Sequence, residues 1–326
     1  MKVLYIYSGY HGIYDYLEES IIESFKKNGF EVLTLPATAS INDFSEVFNN
    51  NQLSVVFTLM GASISRQIHE FLGDKPIPFC IWLTEDPFYI DKSLKIIKDN
   101  NIIFTIDLEA YTFYKNKGFK NVFYLPLGTN PNIFKKTEPS EPYLSDILLL
   151  GYPYPSRVNL ANLILKNTNY KLTLVGSGWH NQIPKNLRRL KRLLIINKWV
   201  SPGLASSFYN GAKIVINQHR ETNFIHNHNS LNIKNESVNN RTFDISSCGV
   251  FQLIDYKEDL YNQYSQDEIV YYINPSDCIN KIEHFIKEED LRNLIAYKAQ
   301  QRVKSNHTWD IRISNIMDVV KRYIPL

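Results

Sequence analysis

Cysteine is scarce in this chain. Cys80, Cys248 and Cys278 lie far apart and form no CxxC pair. They cannot all pair, and none has metal-ligand spacing. That excludes a disulfide scaffold and points to reduced thiols in a cytoplasmic protein. Long apolar runs are missing too: nothing approaches the roughly 18 residues of a membrane span. The apolar start of "MKVLYIYSGYHG" is too short for an export signal. Charge of one sign is in small excess, +3 overall, which does not argue for nucleic acid. There is no GxGxxG fingerprint and no internal repeat.

What the chain does have is 326 residues, 44% of them hydrophobic, with 21 Tyr and 18 Phe. That length predicts two domains rather than one core. Short apolar runs alternate with helical patterns. Strands are expected at Val3–Tyr7, Glu31–Leu35, Val55–Leu59, Phe79–Leu83, Ile102–Ile106 and Val122–Leu125. Near-continuous apolar strands separated by helices mean an α/β fold with parallel sheets covered on both faces. The polar stretch "FKKTEPSEPY", Phe134–Tyr143, reads as a linker. The pattern then restarts at Ile147–Leu150, Leu172–Val175, Ile214–Ile216, Val250–Ile254 and Val270–Tyr272. Two Rossmann-like domains follow, 1–140 and 144–305. A last helix covers 306–326, with Ile313, Ile316, Val320 and Ile324 at helical spacing.

Open α/β sheets bind ligands beyond the carboxyl ends of their strands, near helix N-termini. The turns there are the places to search. "SGYHG", Ser8–Gly12, offers two glycines and His11, a candidate general base or a solvated histidine. "WLTEDPFYID" puts Glu85 and Asp86 side by side at a strand end. They would orient a sugar hydroxyl or act as base, or merely start a helix. "LPLGTNP", Leu125–Pro131, is either a ligand-facing turn or the hinge. In the second domain Gly151 follows a strand directly and Arg157 stands shortly beyond. Gly176, Ser177, Gly178 and Trp179 follow the next strand, where the indole would cover a base or pack. His219 lies just past a strand end, within reach of a sugar or phosphate or at the surface beside Arg220.

The stretch "ESVNNRTFDISSCGVFQLIDY", Glu236–Tyr256, carries the strongest signal. Asn239 or Asn240 caps a helix, and Gly249 ends it. Free N–H groups and the helix dipole favour an anion at that start. Arg241 adds a planar fork suited to phosphate. Asp244, one turn on, can accept two bonds from the vicinal hydroxyls of a ribose. Together they describe a nucleoside diphosphate site; the alternative is a capped helix with a local Arg–Asp pair.

In order and spacing, "WLTEDP", "TIDLEAYTFYKNKGFKNVFYLPLGTNPNIF", "ILLLGYPYPSR", "LTLVGSGW", "YNGAKIVINQHR", "NNRTFDISSCGVFQLID" and "HTWDIR" make the chain resemble the CgeB-like glycosyltransferases. These are a branch of the GT-B superfamily close to glycosyltransferase group 1. The resemblance implies two Rossmann-like domains facing a cleft, with the final helix crossing back to the first. It implies an N-terminal acceptor domain and a C-terminal domain for a nucleotide-diphosphate sugar. It also implies that Asp244, where Glu is commoner, binds the donor ribose. Glu236 and Asp244 have the Glu-x7-Glu spacing of group 1 enzymes, though Glu236 sits in an Asn-rich loop. No Asp-x-Asp triplet occurs, which fits a reaction without metal. The diphosphate charge would then meet Arg241, helix N–H groups and Arg157.

The expected function is sugar transfer from a nucleotide-diphosphate sugar, with a UDP-sugar favoured and no cofactor, to a protein or glycan acceptor. Expected donor-binding residues are Gly151, Arg157, Gly176, Ser177, Trp179, His219, Asn240, Arg241 and Asp244; His11, Glu85 and Asp86 are the catalytic candidates. A sugar-nucleotide epimerase on the same fold and a non-catalytic two-domain binding protein are the alternatives. "KNLRRLKRLLIINK", Lys185–Lys198, reads as a basic amphipathic helix and a candidate membrane or acceptor contact.

Overall fold

The structure, a computed structural model, describes residues 1–324. It divides into two compact units. The first takes Met1–Leu127, Ile225–Ser237 and the chain from Trp309 onward; the second takes Gly128–Phe224 and Val238–Thr308. The polar stretch Phe134–Tyr143 therefore belongs to the second unit, and residues 225–237 return to the first.

In the first unit β1 (Lys2–Ile6), β2 (Glu31–Leu35), β3 (Val55–Leu59), β4 (Phe79–Leu83), β5 (Ile102–Thr105) and β6 (Val122–Tyr124) form one sheet. Its order is β2-β1-β3-β4-β5-β6, parallel throughout. The runs VVFTL and FCIWL are buried at every residue, as strands covered on both faces must be. The helix Ile13–Lys27 buries Tyr14, Leu17, Ile21 and Phe25 against one face. The final helix, Trp309–Val320, packs into the same core through Ile313, Ile316, Met317 and Val320. The Trp309 ring lies edge-on to Trp82 at 6.0 Å, and Ser24 Oγ donates to Asp310 Oδ1 at 2.6 Å.

The segment 225–237 is tied to this unit by two aspartates. Asp107 caps the helix Leu108–Asn116, accepting from the Ala110 amide at 3.0 Å. Its other oxygen accepts from the amides of Glu236 (2.9 Å) and Ser237 (3.1 Å) and from Asn235 Nδ2 (3.0 Å). Asp91 takes the amide and hydroxyl of Ser230, each at 2.9 Å.

In the second unit the strands are β7 (Ser145–Leu150), β8 (Leu172–Val175), β9 (Leu193–Ile196), β10 (Ala212–Asn217), β11 (Gln252–Asp255) and β12 (Val270–Tyr272). The order β12-β11-β10-β7-β8-β9 is again parallel. Here the structure corrects the sequence reading of 185–198. Helix covers only Lys185–Arg188; Leu193–Ile196 is an edge strand paired with β8 from Leu172↔Leu193 to Val175↔Ile196. A short apolar run with two β-branched residues fits both periods, and pairing to an open sheet edge decided it.

Both sheets reverse their direction of growth at the first strand of the unit. From β7 the chain steps to β8 and β9, then returns to add β10 on the other side. The crevice beyond β7 and β10 is the switch point where such sheets take ligands. In the first sheet the corresponding point lies beyond β1 and β3. A cavity of about 870 Å³ opens at the opposite end of that sheet, lined by Lys2, Glu31, Ser54 and Pro78, away from these turns.

Candidate functional site

The helix Asn240–Ser247 joins the switch point by way of a polar network. Asn239 is its N-cap, with Oδ1 accepting from the Thr242 amide at 3.2 Å. Asn239 Nδ2 donates to Asn217 Oδ1 (3.1 Å) at the end of β10. Asn217 Nδ2 donates in turn to Thr242 Oγ1 (2.9 Å) and Gln252 Oε1 (3.2 Å). The helix closes as the sequence predicts: Gly249 adopts φ +65° and its amide returns to Ser246 O at 2.9 Å.

Arg241 leaves the first turn of this helix toward the turn after β7. A Cβ placed on Gly151 would lie 2.7 Å from Arg157 Nη1 and 2.9 Å from Arg241 Nη2. Glycine at that point, with φ +129°, lets two guanidinium groups lie against the backbone. The two arginines differ in their ties. Arg157 is buried; Nε donates to Gln218 O at 2.8 Å, Nη2 bonds the same carbonyl, and Nη1 donates to Tyr152 O at 3.0 Å. Burial, and then the neighbouring charge of Arg241, lower its pKa to about 9. Arg157 thus staples the turns after β7 and β10, rather than standing free for a phosphate. Arg241 makes one long bond, Nη1 to Asn217 Oδ1 at 3.4 Å, and also hydrogen-bonds Tyr209. Arg241, outside any ion pair among the described residues and lying beside the buried Arg157, makes a place for an anion.

Asp244 stands one turn further on and is buried. Oδ1 accepts from Thr129 Oγ1 at 2.7 Å and Oδ2 from Asn240 Nδ2 at 3.1 Å. Burial pushes its pKa up to about 7, against the Thr129 hydrogen bond and the charge of Arg241. Each carboxylate oxygen retains a second acceptor direction, enough for a pair of hydroxyls.

The turn after β8 supports the Gly151 turn. Trp179 is fully buried and its Nε1 donates to Gly151 O at 2.9 Å. The indole therefore packs and positions; it covers no base. A Cβ on Gly176 would come within 2.3 Å of the same carbonyl. Ser177 is exposed between these two anchored residues. His219 is also structural. Its Nε2 accepts from the Asn239 amide at 3.0 Å, and Nδ1 lies 2.6 Å from Asp255 Oδ1. With both ring nitrogens engaged in a buried site, it reaches neither sugar nor phosphate.

In the first unit the turn Ser8–Gly12 follows β1. His11 projects into solvent, with Nδ1 3.4 Å from Asp15 Oδ1. The turn is held by Glu18, which sequence reasoning missed: its buried carboxylate accepts from the Ser8 amide at 2.7 Å. After β4, Glu85 is half-buried and accepts from Tyr14 OH at 3.2 Å. Asp86 departs from its expected catalytic place. It is fully buried and accepts from Ser93 Oγ (2.8 Å), Thr105 Oγ1 (2.9 Å) and Tyr114 OH (2.9 Å), and burial raises its pKa to about 7. That makes it a core residue out of a substrate's reach.

The structure thus brings together Gly151, Gly176, Asn240, Arg241 and Asp244, and it adds Thr129, Asn217 and Asp255. Thr129 lies in the "LPLGTNP" turn, 115 residues from its partner, and no local pattern links the two.

These features can be compared with known proteins. A glycosyl transferase-like family model matches residues 157–318. The spore protein CgeB of Bacillus subtilis (strain 168) is 36% identical over 314 residues, covering 95% of this chain and 96% of that protein. Among solved structures, sucrose-phosphate synthase from Thermosynechococcus elongatus has a TM-score of 0.69 at 10% identity, covering 98% of each chain. HepE of Anabaena, solved in complex with UDP and glucose, has a TM-score of 0.67 at 12% identity, covering 99% of this chain and 100% of its own. At such identities these two likenesses carry the fold, which is GT-B.

Proposed function

Since this chain belongs to the CgeB family of glycosyltransferases, we propose that it moves a sugar from a nucleotide-diphosphate donor to a protein or glycan acceptor without a metal ion. One observation carries this reading. Arg241 Nη2 lies against Gly151 at the switch point, with the Asp244 carboxylate one turn along the same helix.

In this reading the diphosphate lies against the Gly151 turn and the start of the Asn240–Ser247 helix. As the bond from the anomeric carbon to the diphosphate oxygen breaks, negative charge grows on the leaving group. Arg241 and the helix N–H groups meet that charge without rearranging. Asp244 accepts the ribose hydroxyls and fixes the donor's register. The acceptor oxygen forms the new bond to the anomeric carbon, and its proton passes to a base. Glu85 and His11, in the strand-end turns of the first unit, are the candidates for that role. UDP is the favoured nucleotide, because HepE, of the same fold, binds UDP.

A melting-temperature panel with UDP, GDP, CDP, dTDP and ADP, with NAD as control and with or without EDTA, tests the donor site. A ligand at about 100 times its dissociation constant stabilises by roughly 2.7 kcal/mol. That should raise Tm by about 5–10 °C at this size of unit. A shift with one nucleoside diphosphate, unchanged by EDTA and lost in Asp244→Ala, supports the reading. No shift with any of them overturns it, and a shift abolished by EDTA removes the metal-independent mechanism.

A further inference from the structure

Charge is unevenly distributed along this chain. Between Asp146 and Glu221 there are eleven of its 36 Lys and Arg and none of its 33 Asp and Glu. Several of the eleven are accounted for. Arg157 is buried, Lys213 pairs with Asp146 at 2.7 Å, and Arg192 Nη2 donates to Leu165 O at 2.6 Å. Of the six others that are exposed, four lie on one edge of the second sheet. Lys185 and Arg189 precede the edge strand β9, Lys191 leads into it, and Lys198 follows it. None of these four is in an ion pair among the described residues. Beside Lys198 stands Trp199, 52% exposed, whereas Trp82, Trp179 and Trp309 are buried.

Edge strands often carry a lysine, because charge discourages pairing with another chain. One or two would serve that purpose. Four cations at both ends of a strand about 13 Å long, with no acid among them and an exposed indole, form a recognition surface. We propose that this edge docks the protein on an anionic lipid bilayer. The residue types favour that partner. Three of the four cations are lysines, hydrated point charges suited to a diffuse negative surface rather than to the forked contacts arginine makes with nucleic-acid phosphates. Tryptophan settles at the headgroup level, with an apolar body and a polar N–H. No described helix is long and apolar enough to cross a membrane, so attachment through this edge is peripheral.

The test is co-sedimentation of the full chain with phosphatidylcholine vesicles, with and without phosphatidylglycerol, at low and high salt. Binding is expected only to the anionic vesicles, and salt should release it as screening shortens the reach of the charges. Each cation at such a surface contributes roughly fivefold, so Lys185→Gln, Lys191→Gln and Lys198→Gln combined should weaken binding on the order of a hundredfold. An unchanged melting temperature confirms that this variant is folded. Trp199 is the one exposed tryptophan, so vesicles should blue-shift the emission and protect it from acrylamide, and Trp199→Ala should abolish both effects. Failure to bind anionic vesicles at low salt overturns the proposal, as does full binding by the triple variant. Patch-dependent binding to RNA or DNA at a salt concentration that releases the vesicles would assign the edge to nucleic acid instead.

Discussion

The backbone amide of Asn239 donates to Nε2 of His219 at 3.0 Å, while Nδ1 of the same ring lies 2.6 Å from Asp255 Oδ1. An N–H donor on Nε2 requires that nitrogen to be unprotonated. The ring is therefore neutral, and its proton sits on Nδ1, pointing at the carboxylate. Burial lowers the histidine pKa against the opposing pull of Asp255, in keeping with that state. The pair fixes the residue that caps the Asn240–Ser247 helix.

His219→Ala should therefore cost about 1–3 kcal/mol by stranding the Asn239 amide. His219→Gln, which keeps an acceptor, should cost less. The pH dependence has a definite sign. A histidine whose pKa is depressed by folding contributes stability above its unfolded value of about 6.5, and that contribution fades as pH falls through the folded value. Melting curves between neutral and mildly acid pH should fall for the wild type and flatten for His219→Gln. Equal slopes in the two proteins would show that the ring is not neutral in the fold.

The two arginines at Gly151 should separate cleanly under mutation. Arg157 is tied to the carbonyls of Gln218 and Tyr152, so Arg157→Ala should lower Tm by several degrees, at about 1.5–3 kcal/mol for each charged hydrogen bond lost. Arg241 is tied more loosely, by one long bond to Asn217 and one to Tyr209, so Arg241→Ala should lower Tm less than Arg157→Ala does. It should nonetheless weaken nucleoside diphosphate binding tenfold or more. Calorimetric titration beside thermal melts reads both quantities, and a loss of stability without a loss of affinity in Arg241→Ala would move the anion site elsewhere.

Most strands could be read from the sequence, and several to the residue: Glu31–Leu35, Val55–Leu59, Phe79–Leu83, Leu172–Val175 and Val270–Tyr272. Buried parallel strands are near-continuous apolar runs, and turns bound them sharply. β9 was not readable, because four apolar residues after a leucine-rich basic stretch satisfy a helical period as well. Arg241 and Asp244, the proposed donor residues, stood out in the sequence because capping chemistry and anion binding use the same few positions. Their partners were not. Thr129 and Asp255 meet Asp244 and His219 only through the fold. Glu85 and Asp86 look alike in sequence; three hydroxyls, from Ser93, Thr105 and Tyr114, turn the second one inward.

Gly151→Ala tests the close approach directly. The new Cβ would meet Arg157 Nη1 at 2.7 Å and Arg241 Nη2 at 2.9 Å, in a backbone conformation that side chains rarely adopt. Strain of about 1–3 kcal/mol is expected. Because the far end of Arg241 can swing away more easily than backbone can move, donor affinity should fall together with stability. Gly176→Ala differs: its Cβ would press on the carbonyl of Gly151 at 2.3 Å, which is backbone, so the loss of stability should be larger. Melting temperatures of the two variants rank the effects, and a Gly176→Ala protein as stable as the wild type would contradict the packing of these turns.

If the proposed donor site is right, Asp244 should give it a pH signature of its own. Burial raises its pKa to about 7, with Arg241, Thr129 and Asn240 around it. A carboxyl raised in this way is partly protonated at neutral pH, and ribose hydroxyls donate to its ionised form. Nucleotide binding should therefore release a proton, and affinity should rise as pH climbs through about 7, by up to roughly tenfold per unit below that point. In the absence of ligand the sign is opposite. The proton is held more tightly in the folded protein than in the unfolded chain, so the stability this group confers is present at acid pH and declines from about pH 4 to about pH 7. Asp244→Asn removes both trends while keeping the side chain's size. UDP titrations at pH 6, 7 and 8 on the two proteins separate this carboxyl from the nucleotide's own phosphate, whose second ionisation near pH 6 is common to both. If the mutant kept the wild-type slope, the phosphate alone would account for it, and Asp244 would have no part in holding the ribose.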